Sequence, residues 1–225
     1  MPPLLNTEAP SAYQGAVRRV TDKNAPGAPR KPRADAERNR QRLLETAKDA
    51  FAARGPAASL EDIAQSAGVG IGTLYRHFPN RDALIAAVYR NQTEQLAQAA
   101  AKLAERHPPI AALRAWMIVF IDYIATKQGM YAALNSLADG PSDLYAASGL
   151  QIREAIEMLT ARAVASGEIQ LDIDPMELLR AVAAVANVNA GPNGKTSAAR
   201  LVDIMISGLR TAAPGDGTES GNSAA

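Results

Sequence analysis

Four side chains within five positions, Thr73, Tyr75, Arg76 and His77, are the best placed in this sequence to do chemistry. Two hydroxyls, a guanidinium and an imidazole can hydrogen-bond phosphate oxygens and base edges, the contacts by which a short helix reads a DNA groove. Catalysis has little to build on. Cysteine is absent, which excludes a disulfide scaffold, a thiolate zinc site and a Cys nucleophile together. The two histidines, His77 and His107, are too few for a His-rich metal site. His107 stands beside a Pro-Pro break, so no Ser-His-Asp set is credible. The carboxylate pair Asp172 and Asp174 precedes Pro175 and reads as a helix N-cap. Residues 189–196, Asn189 to Thr196, approach the phosphate-binding pattern G-x-x-x-x-G-K-S/T, but the first position is Asn and the preceding segment reads as helix rather than strand. An interhelical loop with Thr196 or Ser197 as the next N-cap fits it better. A helical nucleotide-using enzyme built around Lys195 is the alternative function. No catalytic residue, metal or cofactor is expected.

The elements that must position the polar set follow from composition and punctuation. Of 225 residues 47 are alanine, and aromatics make up 4%. Alanine favours helix, while β-branched and aromatic residues favour strand, so an all-α fold is expected. Six of 14 prolines fall in the first 32 residues; the others, at 56, 79, 108, 109, 141, 175, 192 and 214, mark helix boundaries. The first helix is predicted over 34–54, with Leu43, Leu44, Ala47 and Phe51 on one apolar face and Gly55-Pro56 as its stop. Ser59 caps a short second helix that ends at Gly68. A third helix covers 72–78, and a long fourth runs over 81–106. Five more are placed at 109–127, 129–138, 142–166, 175–189 and 195–211.

Between residues 60 and 77 this arrangement fits a helix-turn-helix. Ala64 is small enough for a close crossing, Gly68 tolerates the positive φ of the turn, and Ile63, Ala67, Val69 and Leu74 are spaced to fill the wedge. The second helix then shows Thr73, Tyr75, Arg76 and His77 outward, in the manner of a helix that enters the major groove by its N-terminal end. An ordinary αα-hairpin has the same spacing. Charge adds a motive for DNA: residues 30–90 carry eleven Lys and Arg against seven Asp and Glu, net +4, whereas residues 91–225 carry ten against fourteen, net −4.

The run from Leu60 through Ala64 and on through Gly72, Leu74, Phe78 and Asn80 to Leu84 closely resembles the DNA-binding domain of TetR-family (tetracycline-repressor-like) transcriptional regulators, over residues 37–95. The resemblance implies a three-helix head with a helix-turn-helix and a C-terminal helical domain that binds an effector and dimerises. It divides the chain into a mobile arm (1–33), a DNA-binding domain (34–95), an effector and dimer domain (96–212) and a disordered tail (213–225). It also implies that Thr73 touches a base edge or phosphate and that Tyr75 and His77 bind phosphates. The Tyr75 ring can pack beside Leu74 at the same time, and His77 can serve as a helix C-cap. Arg76 reaches a base or phosphate or is a solvated surface residue. Gly72 lets the backbone approach DNA, and Arg81 with the Asn80-capped N–H groups of the fourth helix holds a further phosphate. Ser59 is grouped with this set, and Arg33, with Arg30 and Lys31, trails along phosphates or forms a basic arm.

The implied function is a repressor released from a pseudo-palindromic operator by an unknown small molecule. Bulky apolar residues point to a ligand region formed by Trp116, Phe120, Asp122, Tyr123, Tyr131, Asn135 and Met158; each has core packing as its plain alternative. A homodimer is expected through the last two helices, with Leu178, Val182, Val185, Leu201, Met205 and Leu209 at the seam. The most apolar run, 115–125, is broken by Asp122, and no export signal is apparent, so a cytoplasmic protein with no membrane partner is expected.

Overall fold

The structure, a computed structural model, describes residues 30–188 and 194–210, without the side chains of 30–32, 187–188 and 195. These residues form α1 (Arg30–Arg54), a 3₁₀ turn (Gly55–Ala57), α2 (Leu60–Ser66), α3 (Ile71–His77), α4 (Arg81–Arg106), α5 (Pro109–Gly129), α6 (Tyr131–Leu134), α7 (Ser142–Ala165), α8 (Pro175–Val188) and α9 (Gly194–Leu209). The fold is all-α as expected. An isolated antiparallel bridge between Ile169 and Arg210 closes the loop after α7 onto the end of α9.

Two boundaries differ from the sequence expectation. Helix α1 begins at Arg30, inside the segment read as a mobile arm. Pro32 is tolerated there because the first four N–H groups of a helix have no intrahelical partner. The rest of the arm and the tail lie outside the described residues. The helix expected over 129–138 contracts to the single turn of α6. Asn135 Nδ2 donates to the Tyr131 carbonyl at 2.8 Å, and Ser136 Oγ donates to the Ala133 carbonyl at 2.7 Å. Short polar side chains that bond nearby backbone in this way compete with helix continuation.

The α1 stripe is buried as its spacing predicts, with Leu43, Leu44, Ala47 and Phe51 all inside the core. Helix α4 leaves the head and packs most extensively on α5 and α7, while α5 also meets α8, α9 and α1. That central position explains why α5 is apolar enough, by length and composition, to pass for a membrane span. Ile110, Leu113, Trp116, Met117, Phe120 and Ile121 are buried among the other helices. Head and body meet closely at the end of α1. A Cβ on Gly129 would stand 3.1 Å from the Cβ of Ala52, and one on Gly55, which has φ +54°, would stand 3.3 Å from the Cβ of Ala132. Two glycines thus let α1 sit directly against the α5–α6 junction.

Candidate nucleic-acid interface and body cavity

The head is organised by the turn between α2 and α3. Ser59 Oγ accepts from the Asp62 N–H at 3.1 Å and so caps α2. At the other end Gly68 has φ +67°, the Gly68 N–H donates to Gln65 O at 3.0 Å, and the Val69 N–H donates to Ala64 O at 3.0 Å. This is a Schellman motif, which needs a left-handed residue at the glycine position. Ile63, Ala64, Ala67 and Leu74 are buried and Val69 is partly buried, so the predicted wedge is filled.

Burial of Leu74 turns the rest of α3 outward. Tyr75 and Arg76 are exposed, Thr73 and His77 half-buried, and Gly72 lies at the surface with nothing within 4 Å of a would-be Cβ. No packing within the described chain therefore requires a glycine at 72, whereas close approach of an outside body to this backbone would. Tyr75 keeps 45% of its surface, so its ring is not core packing. Phe78, not His77, is the C-cap of α3, and the His77 ring lies tilted against Phe78 at a centroid separation of 6.0 Å. Arg33 is an exposed residue of α1.

Arg81 departs from its expected role. Its guanidinium donates to Pro56 O at 3.1 Å and Ala58 O at 2.6 Å, and lies 6.0 Å from the centre of the Phe51 ring. The 3₁₀ turn leaves those carbonyls pointing at the start of α4, so the cation clamps the α1–α2 connection. Asn80 caps α4 as predicted, with Oδ1 accepting from the Ala83 N–H at 2.8 Å. Ser59 likewise spends its oxygen on capping.

The body contains a cavity of about 160 Å³ between α4, α5, α7 and α8. Three helices each contribute residues at i, i+3, i+4 and i+7: Phe120, Tyr123, Ile124 and Lys127 from α5; Tyr145, Ser148, Gly149 and Ile152 from α7; Met176, Leu179, Arg180 and Ala183 from α8. Tyr89 of α4 completes the wall. That spacing is one helical face, so the cavity is what remains where three stripes converge on α4. Its polar end is a network: the Tyr123 hydroxyl donates to the Tyr89 hydroxyl at 2.9 Å, and Thr93 Oγ1 lies 3.2 Å from Ser148 Oγ. The Lys127 ammonium stands 4.0 Å above the centre of the Tyr145 ring. Burial lowers the Lys127 pKa and raises those of Tyr89 and Tyr123.

Of the seven residues expected to form the ligand region, Phe120 and Tyr123 line this cavity and five do not. Trp116 is fully buried and donates through Nε1 to Leu96 O at 2.9 Å, a core role. Asp122 is two residues from Phe120 and hence about 200° around α5 from it, facing away. Tyr131 and Asn135 stand exposed on and after α6, near the head junction, and Met158 packs further along α7. Sequence reasoning missed Tyr89, Lys127, Tyr145, Ser148 and Arg180. The available signal was Lys127, one turn beyond Tyr123 and on its face of α5, since i and i+4 share a face.

The expected dimer residues also divide. Leu178 and Val182 are buried inside the monomer, because α8 packs that face on α5 and α7, and they cannot reach a partner. Val185, Met205 and Leu209 are partly buried against the same core. Leu201 and Ile204 remain outside, 36% and 65% exposed, with Gly208 on the same face of α9 and Ala181 and Ala184 exposed on α8. As for Lys195, the segment before it is helix α8, whereas a phosphate-binding loop follows a strand; residues 189–193 lie outside those described.

Known proteins share this architecture. Residues 43–88 match the family described as bacterial regulatory proteins, tetR family, and residues 108–211 match the C-terminal domain of SbtR-like transcriptional regulators. A TetR transcriptional regulator of Streptomyces coelicolor is 41% identical in its crystal structure, with a TM-score of 0.71 over 77% of this chain and 99% of that one. A TetR transcription regulatory protein of Mycobacterium vanbaalenii is 30% identical, with a TM-score of 0.66 over 80% of this chain and 99% of that one. The probable acrEF/envCD operon repressor of Escherichia coli K12 is 34% identical over 111 residues, 48% of this chain and 50% of that protein. The chain thus spans half or less of the length of the first curated relatives it matches. A capped helix-turn-helix with an outward polar α3, on a helical body of the matching kind, places this chain in the TetR family of DNA-binding transcriptional regulators.

Proposed function

We propose that this chain is a homodimeric, cytoplasmic repressor that holds a pseudo-palindromic operator through α3 and releases it when a small molecule fills the body cavity. The observation that carries this reading is the position of the cavity against α4, the helix that also holds the head. Tyr89 contributes to its wall from the same helix that begins with the Asn80 cap and the Arg81 clamp. A ligand there acts on the head only by favouring one tilt of α4 over another, since equal affinity for both states shifts no equilibrium. The glycine contacts at Ala52 and Ala132 give a second mechanical link, from α5 and α6 to α1. A repressor among the relatives supports the direction of control.

The dimer seam in this reading is the exposed face of Leu201 and Ile204 with the small residues Ala181, Ala184 and Gly208. Two copies would place their α3 helices in successive major grooves, roughly 34–36 Å apart. Selection from a random duplex library should enrich an inverted repeat, and screened metabolites should include compounds that both raise the melting temperature and release that duplex. Ile204→Glu should yield monomers with collapsed operator affinity. Enrichment of no site, or release by no compound, defeats the reading.

A further inference from the structure

The cavity wall has a charge pattern that its composition does not require. Residues 91–225 carry net charge −4, yet the thirteen residues lining the cavity include two cations, Lys127 and Arg180, three tyrosines and no Asp or Glu. Neither cation lies within 4.0 Å of a carboxylate among the described residues. The adjacent acids are turned elsewhere. Asp174 accepts from the Met176 N–H at 2.6 Å and lies 3.6 Å from Arg153, and Asp122 faces away from the wall. Lys127 is half-buried over Tyr145, so its ammonium has given up part of its water without an anion in return. The remainder of the wall is apolar and aromatic: Phe120, Ile124, Ile152, Met176, Leu179 and Ala183.

We infer that the effector is a small organic anion, a single aromatic ring bearing a carboxylate, with its ring among Phe120, Tyr123 and Leu179 and its carboxylate at Lys127 and Arg180. This rests on the reading of the cavity as the effector site. Size suits a single ring. The cavity of about 160 Å³ is close to the roughly 150 Å³ of an apolar cavity that takes one benzene. Charge sets the polar group, because a carboxylate gives Lys127 the counter-ion it lacks and a fork-shaped partner to Arg180. An ammonium ligand would bring a third cation to a wall without an acid.

The test compares isosteres in the full-length protein at fixed ionic strength: phenylacetate, phenylacetamide and phenethylamine, with benzoate and 3-phenylpropanoate extending the acid series. Trp116, the one tryptophan, is stacked 5.9 Å from Phe120 and reports occupancy by fluorescence; melting temperature gives a second readout. The best acid should bind at least tenfold tighter than the amide or the amine. Lys127→Met should remove that preference, Arg180→Gln should reduce it without disturbing packing, and Lys127→Glu should transfer it to the amine. Gly149→Leu, which fills the cavity from a position with nothing within 4 Å of its would-be Cβ, should abolish binding of all three. An amide or amine that binds as tightly as the acid and is blocked by Gly149→Leu overturns the anion while leaving the cavity as the effector site. Failure of every acid to bind at millimolar concentration likewise overturns the anion alone, whereas binding indifferent to Gly149→Leu overturns both.

Discussion

The surface of α3 and the cavity of the body are built in opposite ways. The outward polar set proposed to meet DNA lies on one seven-residue helix, held by a cap, a glycine turn and a single buried leucine. The cavity draws on four helices, from Tyr89 to Ala183, and exists only where their stripes converge. The first is a local device, tunable residue by residue at the surface. The second is a packing remainder, in which the buried wall residues also help hold the body together. Surface substitutions in the head should therefore alter binding with little cost in stability, and substitutions around the cavity should alter both.

The largest effect is expected from Trp116→Ala, which empties the core beside Phe120 and removes the indole donor to Leu96 O. A cost of about 3–5 kcal/mol is expected, visible as a lower urea midpoint and loss of ligand-induced stabilisation. Unchanged stability would mean that the body does not depend on this packing. Arg81→Met comes next, at about 1.5–3 kcal/mol, the range of a single charged hydrogen bond, because one of its two contacts is exposed to solvent. Because the guanidinium serves the Pro56 and Ala58 carbonyls, operator affinity should fall while the slope of log affinity against log salt stays the same. A slope smaller by about one would return Arg81 to the phosphate role.

Tyr75→Phe keeps the ring and removes the hydroxyl. A loss on the order of 1 kcal/mol in binding is expected for all duplex sequences alike, with stability within about 0.5 kcal/mol of the parent because the site is exposed. Equal affinities would remove the hydroxyl from the contact set. The smallest effect concerns the bidentate pair of Arg114 on α5 and Asp203 on α9, whose side chains are nearly half exposed. The hydrogen bond from Arg114 holds the Asp203 carboxyl below its ordinary range. Its contribution is thus present above the unfolded-state pKa and lost as the pH falls through the lower folded value. Asp203→Asn should cost less than about 1 kcal/mol at neutral pH and nothing in acid, as measured by denaturation at both pH values.

The head was legible because its determinants are neighbours in sequence. Gly68, Ala64, Leu74 and the Ser59 cap each act within a few residues, and the structure puts each where its type predicts. The Arg81 clamp was hidden for a reason of the same kind: its partners, Pro56 and Ala58, lie more than twenty residues earlier and meet it only after α1 turns. The shortened α6 was also local in origin, yet its polar side chains interrupt a run whose composition is helical.

In the body, the sequence by itself determined the helices and their apolar faces, because a helical face follows from a period of 3.6 residues and needs no knowledge of what lies opposite. It marked Phe120 and Tyr123 by their bulk, and in the structure they lie on one stripe of α5. Only the tertiary structure decided that this stripe meets Tyr145 and Ser148 of α7 and Leu179 and Arg180 of α8, that Trp116 is core rather than wall, and that Leu178 and Val182 face inward. The physical reason is that burial of an apolar face is non-directional: any of several partners would satisfy it, and the packing of whole helices selects among them. A cavity is the volume which that selection leaves unfilled, so no single segment encodes it.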